Sequence, residues 1–263
     1  MRISILILVI SIGIPACKDR NVNQGDNVIC IPASLQDGLI AAYTFGGGSL
    51  NDATLSGNNL TKSGPATPAA DRGGNTNCAY QFVNAGNLPS FLATSQTGFL
   101  NGLSDFSVSI WYKPTGARGG GDFEVILSRG SQGHCPDRRG EWSVGLYDCR
   151  RAVFGHDNSV WADFTTPFLD THCQDEMNNL TDKWHHVVAV RQGNAFKIYF
   201  DGVLNGTATG AANCGNNTYQ AQDTGDLFFG TDFNGSIDDV LVYNRALSDQ
   251  EVILLFGLEP CCE

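Results

Sequence analysis

Residues Asp182–Gly206, DKWHHVVAVRQGNAFKIYFDGVLNG, decide how this chain folds. Trp184–Arg191 is rich in β-branched residues and runs into Gln192-Gly193-Asn194, which predicts a strand followed by a reversal. Phe196–Phe200 comes next and closes in Asp201-Gly202, one of the stronger hairpin signals a sequence offers. Val203–Thr209 leaves that turn as the start of a third strand. Side chains alternate along an extended chain, so Phe196, Ile198 and Phe200 share one face while Lys197 and Tyr199 share the other.

The same alternation recurs on both sides. In Phe106–Pro114, FSVSIWYKP, residues Phe106, Val108 and Ile110 share a face, and Trp111 reads as a packing residue. Val125–Arg129 and Glu141–Tyr147 form the next pair, around a loop holding His134, Cys135, Arg138 and Arg139. Trp142, Val144 and Leu146 should point to the core, leaving Ser143, Gly145 and Tyr147 outward. Ala79–Val83, Ala152–Gly155, Trp161–Thr165 and Leu227–Gly230 read as shorter strands, and Gly64–Asn77 as loop. Ser248 is placed to N-cap a short helix, with Glu251 as its capping-box partner.

The order W-H-H-V-V-A-V, x-K-I-Y-F-D-G-V resembles the hallmark of the LamG-like (concanavalin A-like lectin/glucanase) jelly roll. Three other segments resemble the same family. Asp37–Phe45, ending in Y-x-F and followed by Gly46–Gly48 and Asp52, is similar to its first strand; Phe106–Pro114 matches F-x-V-x-x-W-x-K-P; Phe233–Tyr243 is similar to its closing F-x-G-x-I-D-D-V-x-V-Y strand. The motifs stand in family order over residues 37–256. The resemblance implies an all-β, two-sheet antiparallel jelly-roll sandwich with one short C-terminal helix. A chain of 263 residues with 31 glycines and 16% charged residues suits one such domain plus processing segments, and can bury a large core.

Residues 1–16 read as a signal peptide: Arg2 supplies a positive start, and Ile3–Ile14 is an apolar run too short to span a bilayer. Ile14-Pro15-Ala16-Cys17 resembles a bacterial lipobox, which implies lipidation of Cys17. The alternative is a plain secretory signal cleaved after Ala16, with Cys17 left for a disulfide. Residues 17–36 read as a polar tether, and 257–263 as a cysteine-containing tail. Asp19 does not directly follow Cys17, where bacteria often place an inner-membrane retention signal. The resemblance therefore implies an exported protein, lipid-anchored at the outer membrane or cell surface.

Of nine cysteines, lipidation of Cys17 leaves Cys30, Cys78, Cys135, Cys149, Cys173, Cys214, Cys261 and Cys262, an even set in an exported chain. That parity predicts disulfides. The strand Glu141–Tyr147 separates Cys135 from Cys149 by roughly 23 Å at ~3.3 Å per residue, beyond the ~7 Å a bridge allows between Cα atoms. Counting strand reversals onward pairs Cys149 with Cys173 and Cys135 with Cys214. Cys30 and Cys78 are left to Cys261 and Cys262, in either order.

A formal charge of −11 argues against nucleic acid. The basic doublets Arg138-Arg139 and Arg150-Arg151 read as solvated loop pairs. Glucanases of this fold carry paired carboxylates in E-x-D-x-E or E-x-D-x-x-E, which this chain lacks; Glu124, Glu141, Glu176 and Glu251 stand alone on different elements. His185 and His186 point to opposite faces of one strand and read as structural. The sequence therefore predicts no catalytic site. Two classes of function remain: a surface module binding a glycan or surface protein, and a structural envelope lipoprotein; an enzyme with a dispersed site ranks third. The candidate ligand set is His134, Tyr147, Arg151, Trp161 and Asp163, where ring stacking and hydrogen-bonding side chains would hold a sugar.

The resemblance also implies a structural Ca²⁺ where the first strand meets the last. The matching positions are Asp238, Asp52, and backbone carbonyls near Tyr43 and Phe45. Gly46 stands where the family often has Asp, so one carboxylate ligand would be missing. The alternative has Asp238 or Asp239 hydrogen-bonding backbone across that junction.

Overall fold

The structure is a computed structural model describing residues 30–84, 89–117, 123–130, 142–147, 149–156, 160–162, 173–210 and 225–262. The N-terminal part carries β1 (Leu39–Tyr43), β2 (Thr61–Ser63), β3 (Thr67–Ala69), β4 (Ala79–Phe82) and β5 (Phe91–Thr94). The middle carries β6 (Asp105–Pro114), β7 (Glu124–Arg129), β8 (Trp142–Tyr147), β9 (Arg151–His156), β10 (Val160–Ala162) and α1 (Cys173–Leu180). The rest carries β11 (His185–Gln192), β12 (Ala195–Phe200), β13 (Val203–Thr209), β14 (Leu227–Asp232), β15 (Gly235–Tyr243) and α2 (Asp249–Phe256).

Two antiparallel sheets result. One runs β13-β12-β11-β6-β15-β4-β3, with β1 also on β15; the other runs β10-β9-β8-β7-β14-β5-β2. Neighbours far apart in sequence alternate between the sheets, as in the jelly-roll sandwich that the motifs imply. The inner faces meet in one core. Phe196 and Ile198 enter it from β12, Phe106, Val108 and Ile110 from β6, and Trp142, Val144 and Leu146 from β8. These are the faces that the alternation assigns.

The outer face of the first sheet has its own apolar cluster, in which Val188, Tyr199, Leu241 and Tyr243 pack against Val252 and Leu255 of α2. The capping box is present: Ser248 Oγ accepts from the Glu251 amide at 3.3 Å, and the Ser248 amide donates to Glu251 Oε2 at 2.8 Å. Ile31 and Leu35 are buried in this cluster too. Packing thus begins by Cys30, earlier than the 17–36 tether boundary drawn from polarity, because two apolar residues suffice to hold that segment.

Two other readings change. Within Gly64–Asn77, expected as loop, β3 pairs with Ala79–Gln81. It is a half-exposed edge strand carrying Pro68, held by backbone bonds that need no hydrophobic period. Helix α1 was not foreseen at all. The cysteines at the chain ends pair as Cys30–Cys261 and Cys78–Cys262. Cys149 is also disulfide-bonded. Cys17, Cys135 and Cys214 lie outside the described residues, as does the side chain of Cys173.

The Asp201-Gly202 turn has φ 47° and 79°, the left-handed pair a tight hairpin demands. A Cβ on Gly202 would lie 3.0 Å from Phe256 Cδ1. Gly202→Val adds backbone strain to this crowding, so urea denaturation should show a loss of roughly 1–3 kcal/mol.

Candidate functional site

The turn from β8 into β9 places Cys149 and Arg150 at φ 65° and 62°. Two left-handed residues reverse the chain so tightly that Tyr147 and Arg151 become direct cross-strand partners. Their neighbours Leu146 and Ala152 point into the core, so Tyr147 and Arg151 share the outer face of the second sheet. Tyr147 is 45% exposed. The Phe123 ring stands 6.2 Å from its own. Trp161, on β10, pairs in register with Gly155 of β9. Of the five candidate ligand residues, the structure joins Tyr147 to Arg151 and puts Trp161 on the adjoining strand. His134 and Asp163 lie outside the described residues.

Behind this turn Arg150 is buried, not solvated as its doublet suggested. Its Nε donates to Glu124 Oε1 at 2.8 Å, Nη1 to Thr181 Oγ1 at 2.6 Å, and Nη2 to the Thr115 carbonyl at 3.1 Å. Strand geometry explains the split: Arg151 sits on the outer face of β9, while Arg150, in the turn, folds back over the end of the sandwich. A cavity of about 260 Å³ opens beside it, lined by Gly116, Ala117, Arg150, Met177, Asn178, Thr181 and Asp182. Nothing in the spacing of Glu124 and Arg150 announces this pair.

On the far sheet, β15 bulges between Asp238 and Leu241, with Asp239 at φ 39°. The bulge lets two adjacent carboxylates reach one cation, where a regular strand would send them to opposite faces. Arg72 Nη1 meets Asp238 Oδ2 at 2.8 Å and Asp239 Oδ2 at 2.6 Å, and its Nη2 donates to the Leu258 carbonyl at 3.1 Å. Asp239 Oδ2 also accepts from the Cys261 amide at 3.0 Å. Arg72 lies 4.5 Å over Trp111, whose ring stacks on Phe256 at 5.7 Å. Burial raises the Asp238 pKa most, and repulsion from Asp239 adds to it. The Asp239 pKa is raised chiefly by burial, against the pull of Arg72.

The histidines are structural. His185 Nδ1 lies 3.0 Å from Asp201 Oδ2 and its Nε2 3.1 Å from the Leu180 carbonyl. His186 bonds Ser109 Oγ through Nε2 at 2.8 Å, and burial, then Arg72, depress its pKa to about 3. Burial keeps it neutral at physiological pH. Among the described residues, buried carboxylates are tied into ion pairs or hydrogen bonds, and none faces a second carboxylate across an open cleft.

The residues read as a calcium set do not fit a shared ion. Asp238 faces a guanidinium. Asp52 belongs to a separate network: Oδ1 accepts from the Ala42 amide at 3.1 Å and the Thr54 amide at 3.0 Å, and Oδ2 from Asn58 Nδ2 at 2.9 Å. Tyr43 donates its hydroxyl to the Asn58 carbonyl at 2.8 Å, and the Phe45 carbonyl accepts from the Gly48 amide at 2.8 Å. Another grouping of ligand-type residues, Asp71 with Cys78 and Cys262, contains two disulfide-bonded sulfurs. Melting curves in calcium and in EDTA should therefore coincide; a rise in calcium that Asp238→Ala removes would restore the ion.

Residues 85–253 match the family model Laminin_G_3, described as the concanavalin A-like lectin/glucanases superfamily. No curated protein sequence matches the chain. Among solved structures, the fold is similar to the binding domain of botulinum neurotoxin DC in complex with SialylT, at TM-score 0.64 and 15% identity over 85% of this chain and 52% of that one. The same toxin's binding domain in complex with rat synaptotagmin II gives TM-score 0.63 at 15% identity, again over 85% and 52%. Domain 4 of AbnA, a GH43 extracellular arabinanase from Geobacillus stearothermophilus, in complex with arabinotriose, gives TM-score 0.56 at 19% identity over 83% and 98%. The chain thus spans about half the length of the neurotoxin domains it matches.

Proposed function

Since the chain belongs to the concanavalin A-like lectin/glucanase superfamily, we propose that it is a non-catalytic, surface-exposed binding module for a carbohydrate or glycoconjugate. One observation carries this reading: Tyr147, an exposed ring, is held beside Arg151 on the outer face of the second sheet and backed by Phe123. An exposed aromatic ring with a cationic residue on the facing strand suits a sugar's apolar face and its hydroxyls. The bound arabinotriose of the AbnA domain and the SialylT complex of the neurotoxin domain support a glycan partner by likeness of fold alone. The buried, ion-paired state of Glu124, Asp238 and Asp239 supports binding over hydrolysis. The protein is exported and anchored through acylated Cys17, which keeps the module at the cell envelope.

A glycan array probed with the purified protein tests this. Binding of at least one oligosaccharide class is expected, with a loss of roughly 1–2 kcal/mol, about tenfold or more, in Tyr147→Ala. An array with no binder would leave the structural envelope protein as the better reading.

A further inference from the structure

A surface helix ordinarily turns polar residues to water. α2 does so only in its first turn, through Asp249 and Gln250. The rest of the helix buries Val252 and Leu255 and still exposes Ile253 at 51%, Leu254 at 44% and Phe256 at 38%. The patch continues beyond the helix. Phe256 packs on the turn at Gly202, and Leu204, which pairs with Tyr199 of the same outer face, is 44% exposed. On the other side Phe256 stacks on Trp111, and two residues along β6 Lys113 lies 5.3 Å over the Trp184 ring. An aliphatic surface bordered by a tryptophan and a lysine has the composition of a membrane–water interface.

The chain's connection says which surface. Cys30 is bonded to Cys261, five residues past Phe256. From Cys30 back to Cys17 is a stretch of thirteen residues, which can reach at most about 45 Å. Cys30 lines one cavity with Trp111, Leu255 and Cys261, so it lies close to the patch. No helix among the described residues is long and apolar enough to cross a membrane.

We propose that the exposed face of α2, with Leu204, seats on the lipid bilayer that holds the Cys17 acyl chains. Ile253, Leu254 and Phe256 enter the boundary between headgroups and acyl chains. This inference rests on the anchoring reading above. It turns the second sheet, with Tyr147 and Arg151, away from the membrane and toward an external ligand.

The test uses the full chain reconstituted in vesicles of phosphatidylethanolamine and phosphatidylglycerol, with the acyl mass checked first. Dansylalanine is installed at Leu254 or, as a control on the opposite sheet, at exposed Lys62. The probe at 254 should be quenched by brominated phospholipid and shielded from iodide, and the probe at 62 the reverse. Equal iodide quenching at both sites in acylated protein overturns the proposal. So does shielding at 254 that persists without vesicles, which would mean a second copy covers the patch. A protein with no acyl mass fails the anchoring reading alone. Flotation of the released chain with the same vesicles then decides: binding that falls roughly tenfold or more in Ile253→Ser/Leu254→Ser sustains the seat. Absence of flotation overturns it. Both side chains are exposed, so that variant should keep the parent's melting temperature.

Discussion

Arg72→Ala should lower the stability of the domain by about 3–5 kcal/mol, because it strips the guanidinium that two buried carboxylates share. Asp238 is fully buried and Asp239 nearly so, and the second oxygen of each is sealed from solvent without a hydrogen-bond partner. Without the guanidinium, the two charges face each other in a medium that cannot solvate them. The pH dependence separates this electrostatic effect from lost packing on Trp111. Burial, with the charge of Asp239 beside it, raises the Asp238 carboxyl above its ordinary value in the folded state. Above the unfolded value the folded state therefore holds more protons, and stability falls as pH rises. The favourable contribution is complete below the unfolded value and is lost as pH climbs through the folded one. Arg72 lowers both carboxylates, so removing it should raise them further and steepen the slope. Urea denaturation should show the variant weakest in mildly alkaline buffer and partly restored in acid, and Asp238→Asn should restore it at both. A deficit of equal size at every pH would mean that packing on Trp111, not charge, is what Arg72 supplies.

This network also marks where the sequence stops being readable. The hairpin of β11 and β12 is local: β-branched runs, an Asp-Gly turn and strict alternation meet within 25 residues, and the structure follows them to within a residue. Ser248 and Glu251 are three apart, so their capping box is legible as well. Arg72 and Asp238 are 166 residues apart, and only the pairing of β15 with β4 and β6 brings them together. The I-D-D segment was legible as a carboxylate pair on the last strand, yet its partner was not. The family resemblance reads Asp238 as a calcium ligand, and the structure sets Arg72 against it. Arg150 failed for a different reason: a basic doublet at a turn looks solvated, and only a left-handed turn conformation sends its two members in different directions. Edge strands such as β3 escape because they bury little and so carry no period. Tyr147 was assigned outward by alternation alone, and the register confirms it; the pairing of its neighbours was beyond that rule.

Loss of either terminal bridge should cost about as much as loss of Arg72. Cys30–Cys261 and Cys78–Cys262 close spans of 231 and 184 residues. Chain entropy assigns a single bridge over spans of this size about 5 kcal/mol at most, with 2–5 kcal/mol the common measured range. The two are not independent. Cys261 and Cys262 are adjacent, so once one bridge is formed the other closes only the loop of roughly fifty residues between Cys30 and Cys78, worth about 4 kcal/mol in the same treatment. Cys261→Ser and Cys262→Ser should therefore each cost less than half of what the double variant costs. The double variant should also release the tail that Asp239 holds through the Cys261 amide and Arg72 through the Leu258 carbonyl. Its stability should then become less sensitive to Arg72→Ala, since part of what buries the two carboxylates has gone. Denaturation of the parent, both single variants and the double, each with and without Arg72→Ala, completes the cycle. Strict additivity across it would mean that the bridges act on the unfolded chain alone. A reduced coupling to Arg72 would mean that they also hold the tail down over the charged bulge of β15.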